Sequence, residues 1–351
     1  MHGRTTRERH WKISQAAWYL LREKSWSGMN QKFKNLLRSL PEIGLDWHRP
    51  TLLDNTRANR DHFGKSIRAV KPIDKPCLIV SAGPSLYRKS SLKYLYNHRD
   101  RVCIVATDGS YIRCLRSGIL PDYVVTIDPH PTRIVRWFGD PDIETHMRGD
   151  DYFARQDLDI DFRKEMISIN ASNIRMVDAQ PTNLVICCSA PANVIQRTKA
   201  WDRYWFAPLV DNPDDSESLT RVLTTLSGLP AMNTGGTVGN ACWVFAHAVL
   251  KSPDIACIGM DLGYYPGTPL EQTQSWNMLK HHDGVQDYYP EVTGVDGKAW
   301  FSDPTYAFYR GNLLDLLEGA GATLTNCTEG GILTGKGINV MGFEAWLKSC
   351  S

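Results

Sequence analysis

The sequence predicts an α/β fold, a Rossmann-like, mostly parallel sheet with helices on both faces, preceded by a short N-terminal helical segment. Three observations carry this expectation. Beyond Pro76, short apolar runs rich in Val, Ile and Cys alternate with helix-like stretches, the pattern of βαβ units. The runs are apolar on both alternations, as strands covered on two faces must be. Small, polar or acidic residues follow five of the runs directly, and open parallel sheets bind ligands at the carboxyl ends of their strands.

In order, the expected strands are Cys77–Val80, Val102–Thr107, Tyr123–Ile127, Leu184–Cys188, Tyr204–Ala207 and Ile255–Gly259. Leu92–Tyr96, Tyr111–Leu115 and Cys242–Leu250 read as intervening helices. The chain divides into residues 1–75, a basic helical segment with a linker, and residues 76–351, a nucleotide-binding domain. Within the first part, Trp11, Ile13, Ala17, Trp18, Leu20 and Leu21 fall at helical spacing among basic residues. They read as amphipathic helix packing on the body or on a second subunit. A basic-aromatic surface for a membrane or an anionic polymer is the other reading. Pro41–Pro76 reads as an irregular linker with one helix.

A length of 351 residues, 42% hydrophobic and 22% charged, suits a globular body with a sizeable core. A net charge of +2 argues against a chain built to coat nucleic acid. The nine cysteines form no Cys-x-x-Cys pair and several lie in apolar runs, which fits buried free thiols in a reducing compartment. No secretory leader and no membrane-spanning run is read in the sequence, so a cytoplasmic protein is expected.

The chemistry is expected at the strand ends. Ala82-Gly-Pro-Ser-Leu86 leaves a strand and opens a helix. There Gly83 allows close approach, Pro84 suits a first turn and Ser85 offers a hydroxyl beside free amides, an arrangement ready for phosphate. It lacks both the P-loop Lys and the three-glycine fingerprint. A second glycine loop, Asn233–Asn240, opens another helix, with Gly235 and Gly236 for close approach and Thr237 as its cap. Asp108, Asp128 and Asp261 each stand just past a strand, placed to hold ribose hydroxyls or magnesium, or simply to cap helices. His130 is the candidate acid or base, and a turn histidine on the surface is the plainer account. His281 and His282 lie in a long polar stretch, Gly263–Gly297, that reads as a lid from which His281 could swing in as the base, or as an exposed loop. Trp137, Trp276 and Trp300 are candidates for stacking on a base or sugar, or for core packing.

Taken together, the run CLIVSAGPSL…VATDGSYIRCLRSGILPDYVVTIDP resembles the domain shared by MptE-like 6-hydroxymethylpterin diphosphokinases and the Maf motility accessory factors. Gly235–Ala241, Cys257–Tyr264 and Asn326–Gly331 resemble the Maf arm. The resemblance covers roughly residues 77–335 and implies a core related to sialyltransferases. On the Maf side it implies transfer of a nonulosonic acid sugar from a CMP-linked donor to a flagellin-like protein or a glycan. On the diphosphokinase side it implies pyrophosphate transfer from ATP with Mg2+ held by Asp108 and Asp128. By position, Gly83, Pro84 and Ser85 would meet the nucleotide phosphate, Asp108 and Asp128 would line the pocket, and Glu329 would belong to the glycan-transferring version. Maf proteins are usually longer, with flanking domains, so a different acceptor is expected here. A non-catalytic nucleotide-sugar binder is the third reading.

Overall fold

The structure, a computed structural model, describes residues 29–149 and 160–350. The helix expected around Trp11–Leu21 lies outside the described residues. Nine strands form one sheet: β1 (Cys77–Val80), β2 (Cys103–Thr107), β3 (Tyr123–Thr126), β4 (Asn183–Cys187), β5 (Asp202–Leu209), β6 (Ala231–Asn233), β7 (Ile255–Ile258), β10 (Leu324–Asn326) and β11 (Ile338–Val340). A separate antiparallel pair joins β8 (Glu291–Thr293) to β9 (Ala299–Phe301).

The spatial order of the large sheet is β11-β10-β7-β1-β2-β3-β4-β5-β6, and every neighbouring pair is parallel. The chain therefore starts in the middle at β1, winds outward to β6, then returns to lay β7 on the other side of β1. Such a reversal opens a crevice at the carboxyl ends of the two strands where it occurs. All side chains of β1 and β2 are buried, whichever way they alternate. Each Leu, Ile or Val in them gains roughly 1.5–3 kcal/mol from burial.

Two groups of helices cover the sheet. Asp108–Arg116, Ala192–Arg197 and Ile160–Ala179 gather around the 3-10 turn Val135–Phe138. Gln31–Ala58, Leu219–Ser227, Val238–Val244 and Pro304–Ala320 form the other group. The Rossmann-like α/β expectation is met. The helix expected at Cys242–Leu250 starts earlier, at Val238, and widens into a π-turn over Phe245–Val249.

Pro41–Pro76 differs from the expected linker. Gln31–Ala58 is one 28-residue helix with Pro41 and Pro50 inside it. Each proline removes an amide donor, which normally breaks a helix. Here the helix is held from outside: Phe33, Leu37, Leu52 and Thr56 are buried on one side, and Asn30 caps the start. The Gly263–Gly297 stretch is likewise folded. Tyr264, Leu279, Tyr288 and Tyr289 form a small core with Leu36 of the long helix. The Tyr264 hydroxyl donates to Asp303 Oδ2 at 2.6 Å, tying this core to the cap of Pro304–Ala320. All nine cysteines are free and buried. Among the described residues no helix is long and apolar enough to cross a membrane.

Candidate functional site

At the β1/β7 crevice, three motifs lock together. The Ser85 amide donates to Asp261 Oδ2 at 3.0 Å and the Ser85 hydroxyl donates to Asp261 Oδ1. The Gly83 amide donates to Gly259 O at 2.8 Å. A Cβ on Gly83 would lie 2.5 Å from that same carbonyl and nearer still to Asp261 Oδ2. Gly330 and Gly331 close over the carboxylate from the other side: the Ile332 amide donates to Asp261 O at 2.8 Å. A Cβ on Gly331, which sits at φ 73°, would strike the Asp261 backbone.

Asp261 is 1% exposed. Burial raises its carboxyl to about 6, against the pull of the Ser85 hydrogen bonds. The turn that reads as phosphate-ready is thus filled by a carboxylate of the chain itself, and its helix, Ser85–Arg88, is a single turn. Pro84 already has helical dihedrals at the N-cap. Glu329, at φ 55°, is exposed and points toward Gly342 rather than into this join.

The second glycine loop is bound to the Pro304–Ala320 helix. Asn240 Nδ2 donates to Gly235 O and to Tyr309 O, both at 2.8 Å, and Asn312 Nδ2 donates to Gly235 O at 3.1 Å. Gly235 and Gly236 both have positive φ, which the turn requires. Thr237 is the N-cap residue, yet its side chain makes no capping bond. Gly239 brings the loop against β1: a Cβ there would lie 3.3 Å from Ser81 Oγ. Ser81 Oγ and Asn240 Oδ1 are buried without a hydrogen-bond partner among the described residues.

A third constellation lies past β2 and β3. Asp108 accepts from the Gly109 amide at 2.7 Å and from Thr126 Oγ1 at 2.8 Å. Burial pushes its carboxyl up to about 7; these two bonds and Arg136 oppose the rise, and Asp128 adds to it. Asp128 Oδ1 accepts from the His130 amide at 2.8 Å, shaping the turn that carries the histidine. The His130 ring meets His48 edge to face, centroids 5.7 Å apart. Burial draws His48 below the usual histidine range; Asp128 opposes this, while His130 and Arg133 reinforce it. His130 Nε2 and His48 Nδ1 are both buried with no partner among the described residues. Arg136 is 1% exposed and lies 4.2 Å over the half-buried Trp137 ring. Gly109 lets Trp137 and Ala82 approach, so this group borders the end of β1.

The long N-terminal helix fixes the constellation. Asn55 Nδ2 donates to Pro129 O and Ser189 O at 3.0 and 2.9 Å; Asn59 Nδ2 donates to Cys188 O and Ala190 O at 2.9 and 2.8 Å. Four carbonyls past β3 and β4 are thereby held by one helix and its C-cap. Sequence reasoning missed His48, Asn55, Asn59, Arg133 and Arg136. The first three fall in the stretch read as linker. The two arginines are spaced three apart after the His130 turn, a signal that was there to use.

Asp108, Asp128 and His130 are thus brought together. Asp261 with Ser85 and Gly83 forms a separate join, and Gly235–Thr237 lies across from β1. His281 is not part of the constellation. It is exposed, next to His282 and Asp283, whose carbonyl accepts from Lys32 Nζ at 2.8 Å. Lys32 lies 16 residues before His48 on the long helix, roughly 24 Å of helical rise. Trp300 is 1% exposed, its Nε1 donating to Asp296 Oδ1 at 2.9 Å, so its role is packing; Trp276 is half-buried.

For magnesium, Asp108 and Asp128 are the carboxylates whose charges interact. Among the described residues no group of three or more His, Cys, Asp or Glu is gathered to hold a metal. Two carboxylates match the number Mg2+ uses when phosphates complete its shell. A cation at this pair would have to be shared with a ligand rather than caged by protein alone.

Residues 50–138 match the model of the family described as 6-hydroxymethylpterin diphosphokinase MptE-like. That span includes β1, β2, β3 and the whole Asp108–Arg136 constellation, and begins two residues after His48. No curated protein matches the chain. Among solved structures, a Maf glycosyltransferase from Magnetospirillum magneticum AMB-1 is similar, with a TM-score of 0.53 at 13% identity. The likeness covers 85% of this chain and 40% of that one, so this chain spans about two fifths of that protein's length. Matched over residues 50–138 and sharing the fold of a Maf glycosyltransferase, the chain bears out the MptE-like and Maf resemblance carried by its motifs.

Proposed function

We propose that the protein is a nucleotide-dependent transferase, and specifically a Maf- or sialyltransferase-like glycosyltransferase that moves a nonulosonic acid sugar from a CMP-linked donor to a hydroxyl of a protein or glycan. The observation that carries the reading is the unpartnered His130 Nε2 beside Asp128 and near Arg133 and Arg136, at the carboxyl end of a parallel strand.

In this reading the acceptor hydroxyl gives its proton to His130 Nε2 as its oxygen bonds to the anomeric carbon. The bond from that carbon to the phosphate oxygen breaks, and CMP leaves with the electron pair. General-base help of this kind contributes typically 10²–10⁴-fold. Arg133 and Arg136 balance charge on the departing phosphate, the kind of electrostatic stabilisation that acts most strongly in a dry site. Because Asp261 already engages Ser85, the leaving phosphate is assigned to the arginine side of the crevice rather than to the Gly83–Ser85 turn.

One observation favours a second reading. Asp108 and Asp128 lie within the matched MptE-like span, close enough for their charges to interact, as a diphosphokinase would require to share Mg2+ with ATP. There an acceptor alcohol attacks the β-phosphorus, and AMP leaves. Calorimetric titration with CMP and with ATP, each in excess magnesium and again in chelator, separates the two. Tight CMP binding that ignores chelator supports the sugar transferase. ATP binding lost with the metal supports the diphosphokinase. Nucleotide binding with every donor left intact means a binder, and binding of neither overturns both readings.

A further inference from the structure

The long N-terminal helix does more than brace the strand ends, because it places a second imidazole against the candidate base. His48 Nδ1 and His130 Nε2 are both shielded from water and both lack a hydrogen-bond partner among the described residues. A buried polar atom left in this state is costly, so two on touching rings call for a common partner. A neutral imidazole donates from one nitrogen and accepts at the other. Two facing rings can therefore present one donor and one acceptor to a single atom.

The group that answers both is an alcohol, whose oxygen accepts one hydrogen bond while its proton donates another. A carboxylate or phosphate oxygen would have no proton to offer the accepting nitrogen. With the rings edge to face and their centroids 5.7 Å apart, an oxygen at the rim of the pair can reach a nitrogen of each at about 2.8 Å. The χ2 torsion of histidine is broad, so either ring can turn its nitrogen to the crevice without leaving a rotamer well.

We propose that His48 and His130 together form the hydroxyl-binding site of the acceptor: His130 Nε2 receives the hydroxyl proton and His48 Nδ1–H holds the oxygen. This rests on the transferase reading and adds the residue that orients the nucleophile. It also brings into the site a residue that precedes the MptE-like span. The hydroxyl belongs either to a serine side chain or to a sugar, and both present the same pair of hydrogen bonds.

The test is ring 15N NMR of the full chain titrated with N-acetylserine amide and, separately, with methyl β-galactoside. In the wild type, the His48 and His130 signals should move together and saturate with one of the two probes, which also tells the sources apart. In His48→Phe, which keeps the edge-to-face packing and deletes both nitrogens, the His130 response should weaken at least tenfold. His48→Gln, which restores a donor, should recover part of it. CMP affinity, measured on the same samples, should stay within twofold in both variants. Still His130 and His48 signals with both probes, or an undiminished His130 response in His48→Phe, overturns the proposal. If CMP and ATP both fail to bind while the two histidines respond to alcohol, the transferase reading fails and the hydroxyl site stands.

Discussion

Two regions at the carboxyl ends of the strands use similar residue types to opposite effect. At the β1/β7 join, Ser85, Asp261 and the glycines at 83, 330 and 331 pack so closely that donor and acceptor find each other within the chain. Past β3, the rings of His48 and His130 lie against each other while a nitrogen on each remains unpartnered among the described residues. The first region has the sequence of a ligand site and the bonding of a structural clasp. The second has no glycine loop but carries the unmet bonding that a ligand would complete.

The contrast breaks most visibly under substitution. Gly83→Ala places a methyl against a carbonyl and a carboxylate that have no room to move. A loss of about 3–5 kcal/mol in unfolding free energy is expected by urea denaturation. A stable Gly83→Ala protein would mean the clasp is loose enough to open for phosphate. His130→Ala deletes a half-buried ring together with its unpartnered nitrogen, so its unfolding free energy should stay within about 1 kcal/mol of wild type. Its transfer rate, in contrast, should fall by about 10²–10⁴. Folding lost with activity intact would reverse the roles assigned to the two regions.

Asp261 sharpens the comparison at smaller scale. Asp261→Ala strands the Ser85 amide and should lower stability by about 1–3 kcal/mol, read from the denaturation midpoint. Asp261→Asn, close in shape, should leave nucleotide affinity within twofold by calorimetry. A tenfold gain on removing the carboxylate would instead show Asp261 competing with ligand phosphate for the turn.

How far the sequence exposes these regions follows from the range of the interactions. β1 is legible to the residue because four consecutive apolar side chains are bounded by Pro76 and a glycine turn. β6, β10 and β11 are three residues each and leave too short a period to detect. The 28-residue helix is hidden by Pro41 and Pro50, whose local cost is offset by contacts that only the fold supplies. Pro304–Ala320 carries a start and a stop legible in the sequence, Asp303-Pro304 and Gly321. The Ser85–Asp261 bond joins residues 176 apart, so each end looked available for a ligand when read alone. Asp108, Asp128 and His130 were visible because strand ends are a topological position, whereas His48 arrives from a helix on another element.

The mildest perturbation separates the cost of the site from the strength of the clasp. Asp108 is buried and its carboxyl is raised to about 7, from roughly 3.9 in an unfolded chain. A carboxyl raised on folding binds its proton more tightly in the native state. Its contribution is therefore fully present below about pH 4 and is lost as pH climbs through 7. The shift corresponds to about 4 kcal/mol as an upper figure at pH 8. Wild-type stability should accordingly decline between pH 4 and pH 8. Asp108→Asn, which carries no charge but keeps an acceptor for the Gly109 amide, should flatten that decline and exceed wild type at pH 8 by about 1–2 kcal/mol. The same variant should transfer more slowly, since the residue strained by burial borders the constellation that includes Asp128 and Arg136. A denaturation series from pH 4 to pH 8 in which Asp108→Asn runs parallel to wild type would place the buried charge elsewhere, with Asp261, raised to about 6, the next carboxyl to replace.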